Sequence, residues 1–182
     1  MHRIEAYITL AFIELVVVSI VYLPIFIYLK RKEINFIRQT SYILVSWSII
    51  TIVYATIFFV MPITFMPKQY MLNLIPFNWL FQKDSIRYFV TEILPNIMMV
   101  IPLGFFLPSV FEKIRKLWKV VLVIIIGIFS IEIFQFFIGR SCDVDDFIAN
   151  VLGGIIGFVI FMAFNYVFKN KKSWKKFIGI VK

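Results

Sequence analysis

Five apolar stretches of roughly bilayer length follow one another along this chain, at about residues 7–29, 42–60, 93–110, 118–138 and 147–168. A helix that spans the hydrocarbon core needs about 20 mainly apolar residues, and each stretch comes close to that. The chain is 62% hydrophobic, whereas a soluble domain runs at about 45–50% apolar. A water-soluble core of 182 residues could not hide so much apolar surface, so the bilayer is the expected solvent. The expected fold class is all-α: a polytopic membrane helical bundle of about five transmembrane helices, one integral-membrane domain over 1–182.

The stretches differ in quality. The first is interrupted by Glu14 and Pro24. It is too long for the apolar region of a cleaved signal peptide, lacks an A-x-A site and is followed by a basic cluster. The third carries Pro95, Pro102 and Pro108. Proline removes a helix donor and kinks the ladder, so a bent or partly re-entrant helix is expected there.

The net charge is +9, but no basic helix or zinc signature suits it to nucleic acid. The basic residues punctuate the apolar stretches instead. Lys30, Arg31, Lys32 and Arg38 follow the first stretch, and Lys113, Arg115, Lys116 and Lys119 follow the third. Lys169, Lys171, Lys172, Lys175, Lys176 and Lys182 fill the tail. The alternate connections hold only Arg3, Lys68, Lys83, Arg87 and Arg140. By the positive-inside rule the N-terminus is expected outside, with 169–182 a basic cytoplasmic tail. The segment 61–92 includes N-L-I-P-F-N-W-L-F, too aromatic for a free loop. It is expected on the outer leaflet or dipping into it, interfacial or re-entrant.

Cys142 is the single cysteine and His2 the single histidine. That excludes an internal disulfide and makes a Ser-His-Asp triad or a His-ligated zinc improbable. Any metal would be a hard cation on carboxylates.

Ionisable groups at bilayer depth are costly and usually face a partner or a cavity. They concentrate in 130–157, where Glu132, Gln135, Arg140, Asp143, Asp145, Asp146 and Asn150 lie between and inside two apolar stretches. Gln135 is three residues past Glu132 and shares its helix face. Asp146, Asn150, Gly153 and Gly157 form another stripe, and Gly153-x-x-x-Gly157 permits close helix packing. Glu92 and Asn96 are also i, i+4. With five spans these groups, and Glu14, are expected on one side, around an outward-facing polar pocket. Plainer readings stand beside this one. Gln135, Asn96 and Asn150 serve equally well as interhelical hydrogen-bond glue. Arg140 with Asp143 or Asp146 makes a turn salt bridge, and Asp146 is a candidate helix cap.

The stretches N-I-M-M-V-I-P-L-G-F-F-L-P at 96–108, S-I-E-I-F-Q at 130–135 and R-S-C-D-V-D-D-F-I-A-N-V-L-G-G-I-I-G at 140–157 together resemble the VanZ-like family. N-L-I-P-F at 73–77 looks like that family's upstream motif. The resemblance covers about 73–168; the first two stretches and the tail carry no matching motif. The motif positions it assigns are Asn96, Pro102, Gly104, Glu132, Gln135, Arg140, Asp143, Asp145, Asp146, Asn150, Gly153, Gly154 and Gly157. Cys142 stands at an expected variable position. The resemblance implies a multi-pass protein of the bacterial cell membrane, of a family named for teicoplanin resistance in Gram-positive bacteria.

Three function classes follow. The first is a non-enzymatic envelope protein. Its outer pocket, formed by Asn96 and the polar residues of 130–157, binds a lipid-linked cell-wall precursor or a lipoglycopeptide, with Arg140 on an anion. The second is a membrane enzyme acting on a lipid phosphate or glycolipid, with Mg²⁺ or Ca²⁺ on Glu132, Asp143, Asp145 and Asp146. The third is a small transporter or transporter subunit, which would need a homodimer through the glycine stripe.

Overall fold

A computed structural model describes residues 2–58, 72–81, 83–139 and 141–181, with the backbone alone for 2–12, 15 and 58. Helix α1 (His2–Arg31) is 30 residues long. It closes at Glu33, whose φ of 56° reverses the chain. Asn35 then caps α2 (Phe36–Val53), its side chain accepting from the backbone N–H of Ile37 at 2.9 Å. A π-helical turn, Tyr54–Phe58, extends α2.

After the described chain resumes, β1 (Leu72–Asn73) leads through a 3-10 turn at Asn78–Phe81 to the short α3 (Ser85–Tyr88). A π-helical turn, Phe89–Ile93, joins α3 to α4 (Leu94–Val110). A 3-10 turn, Glu112–Ile114, connects to α5 (Leu117–Phe137). Next come β2 (Cys142–Asp143), α6 (Val144–Phe168) and the short α7 (Lys172–Phe177). β1 and β2 pair in parallel, Leu72 with Cys142 and Asn73 with Asp143.

Among the described residues four helical stretches are long and apolar enough to cross a membrane: Phe36–Ile57, Ser85–Val110, Leu117–Phe137 and Val144–Phe168. Large apolar side chains stand on their outer faces, Trp118, Ile126, Phe129 and Val159 among them. Such a surface suits lipid rather than water. The proline-rich stretch is helical throughout, with a π-helical turn at Phe89–Ile93. It is one helical run that begins eight residues earlier than the apolar pattern suggests, at Ser85. A helix tolerates lost ladder bonds where neighbouring helices pack around it, and Pro108 is fully buried.

The α4–α6 pair forms the centre of the bundle, and glycines make it possible. A Cβ on Gly104 would collide with the backbone of Gly154, one on Gly153 with the Ile97 carbonyl, and one on Gly157 with the Ile101 carbonyl. A Cβ on Gly154 would instead meet the Ile124 side chain of α5. The small-residue stripe is therefore occupied within the chain. A homodimer through Gly153 and Gly157 would have to displace α4. Around this pair, Val100, Leu107, Val120, Ile124, Ile128 and Phe161 make the apolar core.

The connections after α1, α4 and α6 gather at one end of the bundle, and they carry the basic residues. Arg38 donates to the carbonyls of Ser109 at 2.7 Å, Val110 at 2.6 Å and Phe177 at 2.8 Å. Arg115 donates to Pro108 O at 2.9 Å and Ile178 O at 2.5 Å. The two guanidiniums tie α7 to the C-terminal end of α4, where helix carbonyls lack partners of their own.

Candidate functional site

The opposite end gathers the C-terminal ends of α2 and α5 with the N-terminal ends of α4 and α6. A cavity of about 290 Å³ opens there, lined by Thr56, Thr91, Glu92, Asn96, Met99, Glu132, Gln135, Asp146 and Asn150, with Ala55 and Pro95. Helical spacing explains the convergence. Glu92 and Asn96, and Asp146 and Asn150, are i, i+4 pairs, while Glu132 and Gln135 are i, i+3, so each pair shares one face.

Several donors in this cavity bond within the protein. Asn96 Nδ2 donates to Asp146 Oδ1 at 2.6 Å, drawing α4 onto α6. Gln135 Nε2 donates to the Thr56 carbonyl at 2.9 Å, drawing α5 onto α2. The Thr56 hydroxyl donates to Ile52 O at 2.6 Å and the Thr91 hydroxyl to Arg87 O at 3.0 Å. Two buried acceptors of the cavity stay open. Glu132 is 5% exposed and Asn150 3%, yet Glu132 Oε2 and Asn150 Oδ1 have no hydrogen-bond partner. A buried polar atom without a partner is costly, which makes each one a question about function.

The acidic run divides into two tasks. Asp143, not Asp146, caps α6, its side chain accepting from the Asp145 N–H at 2.9 Å. Asn73 Nδ2 donates to both oxygens of the Asp143 carboxylate, at 3.0 and 3.2 Å. Asp145 is 3% exposed and accepts from the Phe77 N–H at 2.7 Å. Together with the β1–β2 pairing, Asp143 and Asp145 clip N-L-I-P-F onto the start of α6. Phe77 sits at φ 60°, a conformation held against its preference. Of the expected pocket residues, Asn96, Glu132, Gln135, Asp146 and Asn150 meet; Asp143 and Asp145 turn to the clip. Arg140 lies outside the described residues, and with it the expected pairing to Asp143 or Asp146, as do 61–71 and residue 82 of the aromatic loop.

Glu14 does not join the cavity. Its Oε1 accepts from Trp47 Nε1 at 3.1 Å and from the Thr51 hydroxyl, so it belongs to the α1–α2 contact. Among the described residues no three His, Cys, Asp or Glu side chains are grouped to hold a metal ion. The candidate set Glu132, Asp143, Asp145 and Asp146 is split because two of its members are committed to the clip.

Sequence reasoning missed Thr56, Thr91 and Cys142. The Cys142 side chain and the Asp143 backbone N–H both hydrogen-bond Glu132. Burial, then the neighbouring Glu132, pushes the Cys142 thiol up to about 11. A threonine at the end of an otherwise apolar run was the available signal for Thr56. Beside the cavity, Trp79 stacks on Tyr88 at 6.2 Å and packs on Phe89 at 5.7 Å.

A model of the family described as VanZ/LLP1 matches residues 16–166. The match takes in the end of α1 and all of α2, well upstream of the motifs near 73–168. No curated protein and no solved structure matches the chain.

Proposed function

The chain belongs to the VanZ/LLP1 family, a multi-pass membrane family linked to glycopeptide resistance, and on that premise we propose that it protects the bacterial cell envelope against teicoplanin-type lipoglycopeptides. The cavity at the polar end is its binding site. It faces outward and takes the polar part of a lipid-linked wall precursor or of the antibiotic itself. The observation that carries this reading is the pair of buried acceptors, Glu132 Oε2 and Asn150 Oδ1, left open in the cavity. The outward direction rests on the basic connections standing at the other end, since Lys and Arg favour the cytoplasmic side. A lipid-tailed antibiotic concentrates at the outer leaflet, which favours action on teicoplanin over vancomycin.

Susceptibility of a sensitive Gram-positive host decides the matter. Cells expressing the wild type, Glu132→Gln, Asn150→Leu or Arg140→Ala are compared at equal membrane abundance, against teicoplanin and vancomycin. Wild-type cells are expected to resist teicoplanin alone, and Glu132→Gln and Asn150→Leu to lose that resistance. A lost hydrogen bond to a charged group lowers affinity by about tenfold or more. Full resistance in both pocket variants would make the cavity structural, and a sensitive wild type would sink the assignment.

A further inference from the structure

A second cavity of about 210 Å³ lies between α2, α4 and α5, and its walls are wholly aliphatic apart from Gly127. Its lining shares no residue with that of the polar cavity but follows on from it along all three helices. On α2, Ile49 and Val53 line it and Thr56 lines the polar cavity, at i, i+4 and i+7. On α4, Leu107 and Leu103 give way to Met99 and Asn96 at the same helical spacing. On α5, Ile128 and Ile131 give way to Glu132 and Gln135. One face of each helix thus runs from apolar in the membrane interior to polar at the bundle end.

We infer that the two cavities are one site for an amphiphile with a hydrogen-bond-donating head, ammonium above all, whose hydrocarbon chain lies in the α2–α4–α5 groove. The inference rests on the function proposed for the polar cavity and narrows it, since a lipid-linked wall precursor joined through an anionic diphosphate would not fit. Three observations select this occupant. The apolar groove ends at the polar cavity, so head and chain are met in the right order. The polar part is lined by three carboxylates, Glu92, Glu132 and Asp146, with no Lys or Arg among its described lining, and Glu132 Oε2 and Asn150 Oδ1 are open acceptors there. An anionic head would meet like charge where an ammonium finds partners. Finally, the groove is open where a chain would pass, because a Cβ added to Gly127 meets nothing within 4 Å.

Gly127 supplies the test, since a side chain there fills the groove without touching the α4–α6 contact. The full-length protein in phosphatidylcholine nanodiscs is irradiated with hexadecylamine carrying a mid-chain diazirine, and with the same chain bearing a sulfate head. The amine probe is expected to label groove residues, with the sulfate probe about tenfold weaker, the factor for a charge-assisted hydrogen bond. Shortening an amine competitor should weaken it by about fourfold per buried methylene. Gly127→Phe and Gly127→Leu should both abolish groove labelling, with helicity and thermal midpoint kept. Equal labelling by both heads would mean that bilayer lipid merely solvates the groove, and would overturn the inference; so would labelling that survives both Gly127 variants. Teicoplanin susceptibility separates the two proposals. Resistance lost in Glu132→Gln but kept in Gly127→Phe removes the chain groove and leaves the polar cavity functional. Head-selective, groove-dependent labelling in a protein that confers no resistance leaves the site and removes the resistance role.

Discussion

Cys142 and Glu132 show how two side chains of different elements define the floor of the polar end. The thiol sits in the turn after α5 and hydrogen-bonds back to Glu132. Burial and that neighbour hold its proton up to about 11. The folded thiol therefore keeps its proton to higher pH than the unfolded one. Its contribution to stability is complete below about pH 9 and is lost as pH climbs through about 11, the direction linkage requires for a raised group. The thermal midpoint of the wild type should fall over that window, and Cys142→Ser should lack that part of the decline. Iodoacetamide should alkylate Cys142 slowly at pH 8, because the thiolate is the nucleophile. The sequence revealed the pocket-facing residues Asn96, Glu132, Gln135, Asp146 and Asn150 because helix periodicity alone assigns their faces. It could not divide the acidic run. Which aspartates turn to the clip depends on Asn73 and Phe77 returning from about seventy residues upstream, a long-range pairing that local spacing does not encode.

At the scale of elements, the glycines of α4 and α6 are the least replaceable positions. Gly153→Ala or Gly157→Ala puts a methyl group against a backbone carbonyl that cannot rotate away. Overpacking of this kind costs about 1–3 kcal/mol. Gly127→Ala on α5 should be neutral or stabilise by about 0.5–1 kcal/mol, since alanine replaces an unhindered helical glycine. Thermal unfolding in detergent checks both, and equal midpoints for the two classes would contradict the packing described. The helices themselves were legible as apolar runs, but their beginnings were not. The run containing α4 starts at Ser85 and α2 at Phe36, and their early turns hold Arg87, Glu92, Arg38 and Gln39. Polar residues at a helix end look like loop to an apolar pattern, although they point into a cavity or onto carbonyls. The prolines sit inside a helical run, because packing against α6 supports a helix that propensity alone would interrupt.

Across the whole molecule, the two ends are closed by different means. At the basic end the Arg38 guanidinium serves three carbonyls and lies 4.9 Å over the Tyr42 ring. Arg38→Leu would orphan those acceptors, with a cost of about 3 kcal/mol or more for bonds to a charged donor. Arg38→Lys should rescue little, as an ammonium lacks the planar fork. Faster tryptic cleavage at Lys175 and Lys176, with a lower thermal midpoint, would report release of α7; an unchanged cleavage rate would show that the tail docks without Arg38. Nothing in the composition foretold this hub, because a basic residue beside an apolar stretch looks the same whether it faces headgroups or carbonyls. The glycine contact has a mechanical consequence. With backbone laid on backbone, α4 and α6 behave as a bound spine, α2 leans on α4, and α5 leans on α6. Between the two free leaves, the Gln135–Thr56 bond acts as a clasp. A bulky guest entering between α2 and α5 would have to part that clasp.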